Sequence, residues 1–129
     1  MRIKRLVFGI KVVGSMKFIK WTKEALLLIK NKDPPSFSYV TRHIKRIVLR
    51  KDNSRVRPEK ETFYVGRITA FPYKDLSRSL LWYASVLIHE SAHVELYKKR
   101  KICNDKNAEI YSIRKQKDAL KIFGDKYQF

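Results

Sequence analysis

Residues 80–97 read LLWYASVLIHESAHVELY, an apolar run that contains the pentapeptide His89-Glu90-Ser91-Ala92-His93. As a helix this stretch is apolar nearly all round, which marks a buried central element. Its two histidines stand at i and i+4, one turn apart on one face, so both rings can reach a single cation. Glu90 lies beside them, off the line of ligands. Buried histidines and a buried carboxylate need partners, and a metal ion supplies them. Zinc suits the set, because neutral imidazole binds it well and a catalytic zinc takes three protein ligands while leaving one position to water. The pattern predicts one Zn2+ per chain, held by His89, His93 and a third ligand from elsewhere.

Helix geometry selects that third ligand. If the first helix runs about six residues past His93, it climbs roughly 9 Å at 1.5 Å per residue. A second helix folding back antiparallel from Asp105 returns to the level of His93 near Glu109. Asp105 is too close to the turn and Asp118 too far along. Ile113, Gln116, Leu120 and Phe123 follow Glu109 at helical spacing, which predicts that its carboxylate projects toward an apolar side. Asn104 or Asp105 can cap this helix, and Gly124 ends it.

Val86–Glu95 followed by a helix bearing Glu109 resembles the gluzincin branch of zincin metallopeptidases, and the short length resembles the minimal single-domain gluzincins, or minigluzincins. The resemblance covers roughly residues 20–124, with its specific residues in 86–93 and 107–112. It implies that His89, His93 and Glu109 are zinc ligands and that Glu90 is the general base of peptide hydrolysis. The chain departs from the family pattern at Glu95, where an apolar residue is usual, and at Ile113, where larger members carry an acid that orients a zinc histidine. Tyr97 stands where a related regulatory type has a further histidine.

Outward from this centre, 129 residues of 44% hydrophobic composition fit a single domain. Thirty basic against twelve acidic residues give a net charge of +18, a field that attracts nucleic acid, anionic membranes or acidic peptides. One cysteine, Cys103, excludes an internal disulfide framework and suits a reducing, cytoplasmic setting. No stretch approaches the ~18 apolar residues of a membrane span. Residues 1–14 are basic, and read as a short strand, a flexible basic arm or a leader before Met16. Residues 15–31 read as a helix capped by Ser15 and ended by Pro34-Pro35. Residues 43–50 and 63–71 are rich in β-formers and predict strands. Pro58 confines any strand in 56–61 to an edge. Asp75 or Ser77 can cap the central helix.

The expected fold class is α+β: an N-terminal helix, a small two- or three-stranded antiparallel or mixed sheet, then the active-site helix and the glutamate helix, zincin-like. The expected function is a zinc-dependent metallopeptidase acting on short or unfolded peptides. A strand edge, read at Gly66–Phe71, would hold the substrate by strand addition, and the tail at 125–129 would confer latency by reaching into the cleft. His43, Tyr64, Tyr111 and Tyr127 are the available donors to a developing oxyanion, with His43 read as an ordinary polar residue at the start of a strand. The alternatives are a basic nucleic-acid-binding protein, or an inactive scaffold, with an auxiliary zinc site.

Overall fold

Strands form where β-branched and aromatic residues alternate with basic ones, and they place the apolar set on one side. A computed structural model of the chain describes residues 2–100 and 106–124, the side chain of Arg100 excepted. Among the described residues the fold is α+β, with five α-helices and a mixed five-stranded sheet. The strands are β1 (Ile3–Val7), β2 (Ile10–Gly14), β3 (Arg46–Arg50), β4 (Arg55–Arg57) and β5 (Thr62–Gly66), in the spatial order β1-β2-β3-β5-β4. β2, β3 and β5 run parallel, and the edge strands β1 and β4 pair antiparallel to their neighbours.

The sheet is larger than the two or three strands expected, because residues 3–14 form a hairpin in place of a basic arm or leader. Its two-residue turn, Phe8–Gly9, has φ of 51° and 82°, the left-handed pair that matches the twist of hairpin strands. Phe8 is held in this conformation by edge-on contact with Phe37, at 5.2 Å between ring centroids, and by the Lys30 ammonium over its ring.

Helix α1 (Met16–Lys32) is capped by Ser15, which accepts a hydrogen bond from the Phe18 amide. Pro34-Pro35 does more than stop it. Asp33 closes α1 with its own N–H and caps α2 (Pro34–His43) with its carboxylate, and the prolines occupy the first turn, where no amide donor is needed. His43 is therefore the last residue of a helix, not the first of a strand. The strand read at 63–71 also ends early: beyond Gly66 the chain turns into the short helix α3 (Arg67–Ala70). Gly66 is no open edge, since a Cβ there would lie 2.5 Å from the Asp52 carbonyl oxygen.

One face of the sheet carries Ile10, Val12, Ile47, Phe63 and Val65 against Phe18, Leu26 and Ile29 of α1 and Tyr83, Leu87 and Ile88 of α4 (Leu76–Arg100). Burying each of these large side chains stabilises the fold by about 1.5–3 kcal/mol. Inside this core the Thr22 and Tyr83 hydroxyls are hydrogen-bonded at 2.8 Å. Helix α5 (Lys106–Ile122) packs on α4. No described helix is long and apolar enough to cross a membrane.

Candidate metal centre

Asp75 starts α4 by accepting a hydrogen bond from the Arg78 amide. The helix then runs past His93 to Arg100, as the geometric argument for Glu109 requires. Glu109, early on α5, meets His93, and Gln116, two turns later, meets His89 and Ser85 further back on α4, so the two helices run antiparallel. His89, His93 and Glu109 each offer one ligand atom, all within 4.8 Å of one another. This group could hold a metal ion. His89 Nε2 lies 3.1 Å from Glu109 Oε1 and His93 Nε2 2.9 Å from Glu109 Oε2. Glu90 stands at the side, 3.7 Å from His89 Nε2.

Gln116 sets the protonation of His89. Ser85 Oγ donates to the Trp82 carbonyl, which can only accept, so Ser85 receives its own hydrogen bond from Gln116 Nε2 at 3.0 Å. The Gln116 carbonyl oxygen therefore faces His89 Nδ1, at 2.8 Å. His89 carries its proton on Nδ1 and presents a bare Nε2 to the site. Burial lowers the His89 pKa first, and His93 reinforces this against the pull of Glu109, so the ring is neutral near pH 7. A bare nitrogen facing a carboxylate oxygen at 3.1 Å puts two acceptors together, an arrangement that a cation between them relieves. The donor set fits a metal ion for this reason. His93 is buried, and its Nδ1 has no hydrogen-bond partner among the described residues, nor has Ser112 Oγ.

Glu90 is pushed up to about 8, first by burial and then by the Glu109 carboxylate. Glu95 behaves in the opposite way. Burial alone would raise its carboxyl, but hydrogen bonds from Tyr39, Lys99 and Tyr111 outweigh that and hold it at about 2. The Tyr39 and Tyr111 hydroxyls donate at 2.6 and 2.8 Å, so Glu95 ties α2 and α5 to α4. An apolar residue at this position would lose that tie.

The cleft over the histidines, about 510 Å³, is lined by His89, Glu90, His93 and Glu109 on one side and by residues 54–59, including β4, on the other. The strand edge beside the metal group is therefore β4 and not Gly66–Phe71. No family model, curated protein or solved structure matches the chain. Its site is read from its own geometry.

Of the oxyanion donors considered, Tyr64 lies on the sheet face turned away from α4. Tyr111 is bonded to Glu95. His43 contacts Tyr39 and Lys98, and burial and Lys98 lower its pKa. None of the three lines the cleft. Tyr127, the tail at 125–129, Cys103 and the caps Asn104 and Asp105 lie outside the described residues. Ile113 is exposed, whereas Gln116, Leu120 and Phe123 are buried. Gln116 had a signal in the sequence: it stands seven residues, two turns, after Glu109 and shares its side of the helix.

Proposed function

We propose that the chain is a zinc-dependent metallopeptidase of gluzincin type, hydrolysing peptide bonds of short or unfolded peptides. The observation that carries this reading is the convergence of His89, with its bare Nε2, His93 and Glu109 beside a buried, separately held Glu90. A purely structural site needs no such base. When bound, zinc would polarise the scissile carbonyl, acidify water and favour the ionised form of Glu90.

The chain's own residues supply the rest. β4 is an edge strand on the same cleft, so an extended peptide can add to the sheet beside it and lie across His89 and His93. Glu90 accepts the proton of the attacking water and returns it to the leaving amine. Burial keeps bulk water from competing for that proton. Gln116 keeps the His89 ring in one tautomer and orientation through the cycle.

Cleavage of a mixed peptide library by wild type, together with its loss in Glu90→Gln protein that keeps its metal, is the expected result. Equal cleavage by both proteins would remove Glu90 from the mechanism.

A further inference from the structure

The pleat of the sheet sorts its charges. Val12, Ile47 and Phe63, paired across β2, β3 and β5, face the helices and belong to the core. The rows on either side face outward: one runs Lys11, Arg46, Thr62, Arg57, and the other Val13, Val48, Tyr64, Arg55. Val13 and Val48 are buried, yet they stand apart from the core cluster and form the floor of this second face.

No described strand contains an acidic residue. Every strand cation except Arg5 points to the outer face: Lys4, Lys11, Arg46, Arg50, Arg55 and Arg57. Arg50 pairs with Asp52 and Arg57 with Glu59. Lys4, Lys11, Arg46 and Arg55 have no acidic partner among the described residues. Lys11 and Arg46 lie directly opposite each other on neighbouring strands, where like charges destabilise a sheet. Folding does not require that repulsion, and an anionic ligand relieves it. On this face, beside the edge strand, the Arg50 guanidinium lies 5.7 Å from the centroid of the half-buried Tyr64 ring.

We propose that this outer sheet face binds single-stranded nucleic acid, with Lys4, Lys11, Arg46 and Arg55 on phosphates and Tyr64 stacking a base above Val13 and Val48. A sheet face with a half-buried aromatic ring and a cationic surround suits splayed-out bases, because any base can stack while the backbone is held by charge. A bilayer would require protruding apolar side chains, and on this face Leu6 alone protrudes while the valines are recessed. An acidic peptide would use the cations and leave the Tyr64 ring idle. Arg50 also leads into a groove of about 1020 Å³ at the ends of β2 and β3. Arg2, Lys17, Lys51, Arg67 and Phe71 line it and no acidic residue does, so a longer strand has a path onward. The proposal uses no step of the peptidase reading, although Arg55 and Arg57 on β4 also border the metal cleft.

The test is titration of a labelled oligouridine with the full chain over a range of salt, followed by fluorescence anisotropy. Replacing Lys11→Gln together with Arg46→Gln lowers the slope of log affinity against log salt by about 1.4, at ~0.7 per single-strand phosphate contact. Tyr64→Leu weakens binding roughly tenfold or more with the slope unchanged, and Tyr64→Phe keeps the affinity. Lys20→Gln with Lys23→Gln, a pair exposed on α1, is the control and leaves binding nearly intact. Should Tyr64→Leu fail to fold by circular dichroism, the two double variants decide alone. Equal losses from the two pairs, with no loss from Tyr64→Leu where it folds, would show diffuse charge attraction and overturn the proposal. So would displacement of the oligonucleotide by phosphatidylserine vesicles or polyglutamate with the same dependence on Lys11 and Arg46.

Discussion

Along the seam between α4 and α5, most polar groups are matched to one another: Gln116 to His89 and Ser85, Glu109 to His93, Glu95 to Tyr39, Lys99 and Tyr111. On the outer face of the sheet, four cations stand without acidic partners and two of them face each other directly. The difference is one of burial. In the seam an unmatched donor or acceptor would cost about 1–3 kcal/mol, so the sequence supplies partners to most groups, and the acceptor-to-acceptor contact between His89 and Glu109 marks where a cation belongs. At the surface, water tolerates the repulsion. There the unmatched charge is a property of the surface and its counter-ions.

The largest effect should come from the seam. Glu90→Gln removes a proton carrier while keeping shape, and should reduce peptide cleavage by about 10²–10⁴-fold, with bound metal unchanged by elemental analysis. Loss of metal in this variant would instead assign Glu90 a ligand's role. Next, Gln116→Leu removes the partner of His89 Nδ1 and should weaken metal affinity by about 10–100-fold, measured by competition with a chromogenic chelator. Gln116→Glu, which still accepts the Nδ1 proton, should recover most of the loss. If Gln116→Leu binds metal as wild type does, the matching in the seam serves packing alone.

How far these features were legible in the sequence follows the same division. The α4 motif and the Ser15 cap are local signals, and Glu109 followed from two helical rises and one reversal. The β1–β2 hairpin was not legible, because Phe8 takes a left-handed conformation that its side chain does not advertise and that contacts from Phe37 and Lys30 sustain. Helix α2 was hidden by reading Pro34-Pro35 as a terminator, although Asp33 before them is also a cap. Ile113 was placed inward by spacing from Glu109. The buried stripe is instead centred on Ala108, Ser112, Gln116 and Ala119, leaving Glu109 on its flank. The edge beside the metal group was assigned to Gly66–Phe71, and only the three-dimensional pairing shows it to be β4.

Two smaller effects sharpen the contrast. In the core, Thr22→Val or Tyr83→Phe alone should cost roughly 1–3 kcal/mol by leaving one hydroxyl unpaired, while the double variant should recover much of it, as read by chemical denaturation. For Glu95, the folded-state pKa of about 2 lies below the ordinary 4.5. Its hydrogen bonds therefore stabilise the fold fully above pH 4.5, and that contribution fades as pH falls toward 2. In metal-free protein, the melting temperature of Glu95→Gln should lie a few degrees below wild type near neutral pH, and the gap should close across that window. A gap independent of pH would mean that the carboxylate charge contributes nothing.

The most direct test of the central claim is the zinc content of protein purified away from chelators, for wild type beside Glu109→Ala. One zinc per wild-type chain is expected, with a marked fall in the variant at equal folded fraction. Wild-type protein without zinc, or zinc retained in full by Glu109→Ala, would contradict it.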